Sequence, residues 1–184
     1  MGMPAQETWW TLEMVRALPD DGKRYEALDG VLLVSPAPSF RHQRAVRLLY
    51  GILDEYTRAH RIGETMLSPA DIELSPTRLV QPDVFVVPAE LRVATWRDVT
   101  RLHLAAEVIS PSSARADRIE KRTAYQDKEV PEYWVVDLDT RVFERWLPSD
   151  VRPEILSDRI EWHPVAGVPP LSIDLVDYFA EVWR

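Results

Sequence analysis

A glutamate in the middle of an apolar strand needs a partner. Glu107 stands among Leu104, Ala105, Ala106, Val108 and Ile109, a run that predicts a strand with little water on either face. An unpaired carboxylate there costs several kcal/mol, roughly the penalty of an uncompensated buried charge. It therefore requires a cation, a hydrogen-bond network or a raised pKa. The obvious cationic partner on the following segment is Lys121. Asp117, Lys121 and Tyr125 are spaced four apart, which stacks them on one face of a helix. If that face turns toward the sheet, Lys121 reaches Glu107. If it turns outward, Asp117 and Lys121 form a surface pair worth about 0.5 kcal/mol or less. An ion pair with an arginine would satisfy Glu107 as well. A second acid, Asp83, follows Pro82 at the mouth of the continuous apolar run Val84 to Val87; alone, it fits an ordinary Pro-Asp turn.

The elements that must position these groups are legible from pattern. Leu102 to Ile109 reads as a buried strand ended by Ser110-Pro111, and Ser112 or Ser113 can cap a helix from about Ala114 to Lys128. After Val130-Pro131, Glu132 to Asp137 and Arg141 to Leu147 read as an antiparallel pair. Upstream, Thr8 is placed to cap a helix from Trp9 to Leu18. The Asp29-Gly30 pair joins Lys23 to Leu28 with Val31 to Ser35 as a hairpin. In its first strand Arg24, Glu26 and Leu28 share a face, and Glu26 taken alone reads as solvated. Phe40 to His60 reads as a long helix with Ala45, Leu48, Leu49, Ile52, Leu53 and Tyr56 toward the core. Arg41, Arg44, Arg47 and Arg58 lie off that stripe, where a phosphate backbone or plain solvent accounts for them equally. His42, in the first turn, has no second histidine nearby to make a metal pair. Glu64 to Leu74 gives one or two short strands broken by Ser68-Pro69. Arg159 to His163 and a helix from Asp174 to Trp183 complete a mixed sheet flanked by helices.

Composition narrows the function. The 184 residues suit one domain with a core of its own. We divide it into an N-terminal helix (1–20), a core (21–147) and a C-terminal strand and helix (148–184). Cysteine is absent, which excludes disulfides, thiolate metal sites and a cysteine nucleophile, and suits a reducing cytoplasm. No run approaches the ~20 apolar residues of a membrane helix, and no leader pattern opens the chain, so a soluble cytoplasmic protein is expected. A net charge of -8 argues against binding through non-specific phosphate contacts. Any nucleic-acid role must rest on a local basic surface or a metal ion. No Ser-His-Asp set, phosphate-cradling glycine loop or dinucleotide fingerprint is present.

Taken together, Pro82-Asp83 before one strand, Glu107 in the next and a lysine beyond it resemble the PD-(D/E)xK nuclease superfamily. The chain is more closely similar to its Uma-two family of restriction-endonuclease-like proteins, through YEALDG at Tyr25, SPAPSFRHQ at Ser35, QPDVFVV at Gln81, EVISPSS at Glu107, DRIEKRTAY at Asp117 and VPEYWVVD at Val130. The resemblance implies a restriction-endonuclease-like α/β (α+β) fold with a mixed β-sheet, and a metal-dependent endonuclease acting on DNA. It makes Asp83 and Glu107, with the backbone carbonyl of Val108, ligands of Mg2+ or Mn2+, and makes Lys121 the group that orients or deprotonates the attacking water. Glu26 matches an acid that often precedes the motif, and His42, Asp117 and Tyr125 are further candidates. A homodimer is the habit of related nucleases. The superfamily lysine two residues after the glutamate is missing here, since position 109 is Ile109; Lys121 replaces it only if the helix brings its amine to the same place. Glu129 stands where relatives tend to have glycine. The alternative is a nuclease-fold domain that binds DNA or a protein partner without cutting, and a purely structural protein would pair Glu107 with arginine.

Overall fold

The computed structural model describes residues 8–111 and 113–184, so Ser112 lies outside the described residues. The first helix is shorter than its pattern suggests: α1 spans Leu12–Arg16, and Thr11, not Thr8, caps it by accepting the Met14 N–H. The reason is local. Trp10 donates its N–H to the Gly30 carbonyl (2.9 Å), which ties this stretch to the hairpin turn instead of to the helix. That hairpin, β1 (Arg24–Leu28) and β2 (Val31–Ser35), turns at Asp29 and Gly30, both with positive φ (50° and 85°), as a primed two-residue turn demands. Gly30 is doubly constrained, because a Cβ there would meet the Trp9 indole.

Helix α2 spans Phe40–His60 as its periodicity predicts. Its N-cap Ser39 accepts the His42 N–H at 3.2 Å, which fixes the turn that carries His42. Replacing this cap by alanine (Ser39→Ala) should lower stability by about 1 kcal/mol, read from the chemical-denaturation midpoint.

The remaining elements are β3 (Gly63–Leu67), β4 (Ile72–Ser75), β5 (Arg78–Val80), β6 (Val84–Pro88), β7 (Leu104–Ile109), a π-helical turn (Ala116–Lys121) running into α3 (Arg122–Asp127), β8 (Tyr133–Asp137), β9 (Val142–Trp146), β10 (Glu154–Leu156), β11 (Arg159–Trp162), β12 (Leu171–Asp174) and α4 (Leu175–Trp183). Among the described residues the strands form three sheets, β2-β1-β5-β4, β10-β9-β8-β7-β6-β3 and β11-β12. The six-stranded one is the expected mixed sheet, with β7 and β8 parallel and its other pairs antiparallel, and the two smaller ones are antiparallel throughout. The short strands β5, β10 and β12 lack an alternation long enough to read from sequence.

The six-stranded sheet is covered on both faces. Val84, Val86, Ala106, Val108, Trp134 and Val136 pack with α2, α4 and the β11-β12 pair. On the opposite face Phe85, Ala105, Ile109, Tyr133 and Val135 pack with Tyr125 of α3 and with Leu28, Ile72 and Val80 of the four-stranded sheet. Strand alternation then decides where the acids go: Glu107 shares its face with Ala105 and Ile109, so it is directed between the two sheets.

Candidate active site

Strand register brings the two strand-borne acids together. β6 and β7 are antiparallel with Val84 opposite Ala106, so Asp83 stands one rung on, beside Glu107. Asp83 is buried and accepts three hydrogen bonds: from Arg24 Nη1 at 2.5 Å, from the Val108 backbone N–H at 2.9 Å and from His42 Nε2 at 3.0 Å. Burial works against its charge, but the hydrogen bond from His42 and the Arg24 guanidinium prevail and hold the carboxyl at about 2.

The helix after β7 turns its Asp117 face inward, so the alternative of a surface pair is excluded. Lys121 Nζ lies 2.9 Å from Glu26 Oε2, 3.0 Å from Glu107 Oε1 and 3.3 Å from Asp117 Oδ1. The Tyr125 hydroxyl donates to the same Glu107 oxygen at 3.3 Å. At 3.6 residues per turn, steps of four drift by about 40° each, which would carry Tyr125 about 80° away from Asp117. The wider π turn, Ala116–Lys121, takes back part of that drift, and Asp117, Lys121 and Tyr125 are all buried. Glu26 is not solvated, as its isolated position suggested, but 1% exposed. Its other oxygen accepts the Gln81 N–H at 2.7 Å. Glu107 pairs with lysine, not with arginine.

The electrostatics are unbalanced. Three buried carboxylates, Glu26, Glu107 and Asp117, surround one ammonium. Burial, together with the charges of Asp117, Asp83 and Glu26, pushes the Glu107 carboxyl well above the usual range despite Lys121. Burial pulls the Lys121 ammonium down, yet Glu107, Glu26 and Asp117 outweigh it and hold its pKa well above the ordinary lysine value. Lys121 is therefore a cation here, not a free base.

Arg24 was not singled out in the sequence, although it shares a strand face with Glu26; that shared face was the available signal. Its guanidinium is held charged by Asp83 and Glu107 against the pull of burial. Arg118, on the same helical segment as Lys121, pairs with Asp137 (2.8 Å) and Glu144 (2.6 Å). A cleft of about 310 Å³ opens onto Asp83, Glu107, Val108, Asp117 and Lys121. A second cleft, of about 550 Å³, meets it at Arg24, His42 and Asp83. The His42 Nδ1 atom is buried there and has no hydrogen-bond partner among the described residues.

A mixed sheet with acids on adjacent strands and an amine from the following helix defines a protein of the nuclease-fold class. The chain is similar in structure to a protein from Anabaena variabilis whose crystal structure is described as that of a "putative nuclease belonging to DUF820": the TM-score is 0.79 at 15% identity, covering 94% of this chain and 99% of that one. Residues 12–175 match the model of the Uma2 family, described as "Putative restriction endonuclease", and the chain belongs to that family. Membership supports a nuclease-type function. No curated protein matches the chain. Among the described residues, no helix is long and apolar enough to cross a membrane.

The chemistry of the acidic side chains suits a hydrated divalent cation. The acids around Glu107 offer hard carboxylate oxygens, and a hydrated divalent cation such as magnesium takes only one or two of these, completing its shell with water. Among the described residues no three His, Cys, Asp or Glu side chains form a ready cage, since the acids are turned to Arg24, His42 and Lys121. The excess of carboxylates over ammonium groups is the feature that a divalent cation would neutralise.

Proposed function

We propose that this cleft hydrolyses phosphodiester bonds in DNA with the help of Mg2+ or Mn2+. The observation that carries the reading is the convergence of Glu26, Glu107 and Asp117 on Lys121, beside Asp83, in a cleft open to solvent. Asp83 and Glu107 would hold the ion, with the Val108 carbonyl as a further oxygen donor. The ion, when bound, supplies positive charge to the phosphoryl oxygens and activates a water nucleophile. Lys121 stays protonated among its acid neighbours, so it donates hydrogen bonds to the phosphate as charge builds on it. The proton lost by the water passes to a carboxylate of the cluster, because an ammonium cannot accept it. Tyr125 and Glu26 hold Glu107 and Lys121 in place through the contacts described above.

The reading is tested by titrating magnesium or manganese into the wild type and a Lys121→Ala variant with labelled DNA. Cleavage should appear with metal in the wild type and be lost in the variant. Binding of DNA with no metal-dependent cleavage in the wild type would leave a nuclease-fold protein that binds without cutting.

A further inference from the structure

The first turn of α2 points two ways. His42 faces Asp83, while Phe40, Arg41 and Arg44 face outward beside the C-terminal end of α4. The arginines of this surface are held by aromatic rings. The Arg41 guanidinium lies 3.7 Å from the centre of the Trp183 ring, and that of Arg141 lies 5.0 Å from the same ring. The Arg44 guanidinium sits 4.9 Å from the Phe40 ring and reaches the Val182 carbonyl. Among the described residues, none of the three makes an ion pair, whereas Arg58, farther along α2, is paired with Asp54. Phe40 is 77% exposed. Ser39 and Arg41 line both this shallow depression and the carboxylate cleft, so the two are continuous.

In a chain of net charge -8, three unpaired arginines gathered beside an acidic cleft form a local anion site. Trp183 offers the face of its ring to two guanidinium groups that would otherwise repel each other. The exposed Phe40 ring adds something phosphate contacts do not need: a flat platform for a base. Bases in a duplex are already stacked and offer no face to such a ring, but unpaired bases do.

We propose that the Phe40, Arg41, Arg44 and Arg141 surface docks a single-stranded stretch of nucleic acid next to the bond cut in the cleft, with a base on Phe40 and phosphates on the arginines. This rests on the reading of the cleft as a nuclease site and names its substrate class: DNA with an unpaired flank, such as an overhang or a gap.

Fluorescence anisotropy in EDTA, where cutting does not intervene, tests it with a labelled single strand of about 12 nucleotides, within the site sizes such surfaces use, and the corresponding duplex. The wild type should prefer the single strand. Phe40→Ala should weaken single-strand binding by about 5- to 150-fold, the value of one base–aromatic stack, and leave duplex binding unchanged. Replacing Arg41, Arg44 and Arg141 together by alanine should lower the slope of log affinity against log salt by about 2. Thermal melts control for folding, and the exposure of Phe40 makes that substitution structurally mild. Equal affinity for duplex and single strand with no effect of Phe40→Ala overturns the proposal, as does a salt slope unchanged by the arginine replacements. Intact, Phe40-dependent binding by a wild type that cuts nothing with magnesium or manganese would support this surface while rejecting the catalytic reading.

Discussion

Lys121→Met should abolish the proposed cleavage of DNA and lower stability by about 3–5 kcal/mol in the absence of divalent metal, the cost of breaking a buried charge cluster from one side. The substitution keeps much of the side chain's length and removes the only ammonium within reach of Glu26, Glu107 and Asp117 among the described residues. Those buried carboxylates then repel one another with their counter-charge gone. If Asp83 and Glu107 bind a cation, magnesium should restore part of the loss, by about 2.7 kcal/mol at a concentration one hundred times the dissociation constant. Activity should not return, since the group proposed to steady the phosphate is gone, and a fall of about 10²–10³-fold or more is expected. Urea denaturation with and without magnesium, alongside a cleavage assay, reads both effects. A variant as stable as the wild type in EDTA would mean that the acids are not held by this amine.

The second large effect is expected at Asp83. Asp83→Asn keeps the shape but presents an amide NH2 either toward Arg24 or toward His42 and the Val108 N–H together. At least one donor is then opposed by another donor, and Arg24 loses the carboxylate that balances it. Hydrogen bonds to a charged acceptor contribute about 1.5–3 kcal/mol each, so a loss of about 2–4 kcal/mol is expected. Metal affinity, measured by calorimetry, should fall by more than about 100-fold, beyond the range found when only an outer partner of a ligand is removed. A variant that binds magnesium as the wild type does would place the ion elsewhere.

How far these residues could be read from the chain depends on the physical signal each carries. Glu107 announced itself because an acid in an apolar run is costly, whatever the fold. The hairpin at Asp29-Gly30 and the long helix α2 follow from local turn chemistry and from periodicity, and both have the expected bounds or nearly so. Glu129, with φ of 57°, occupies a left-handed position of the kind that favours glycine, in the turn between α3 and β8 and away from the carboxylate cluster. Arg24 and Glu26 carried no such mark: an alternating strand looks the same whether its polar face meets water or a second sheet. Burial of that face is decided by the four-stranded sheet closing over the six-stranded one, a long-range event with no local trace. The π turn is equally silent, because no residue type in Ala116–Lys121 demands it; it follows from seating Asp117, Lys121 and Tyr125 together. The sequence-level ambiguity of Arg41 and Arg44 was real, and only the ends of α2 and α4 meeting in space give those arginines aromatic partners.

The rung that sets Asp83 beside Glu107 has an evolutionary corollary. Pleating makes strand positions discrete: slipping β6 by one residue sends its acid to the far side of the sheet, and slipping it by two displaces it by about 7 Å. Neither carboxylate can therefore be adjusted by small increments along its strand. A helix tolerates gradual rotation and sliding, so variation among proteins of this fold should accumulate in the origin and reach of the amine while the acid pair stays locked in place.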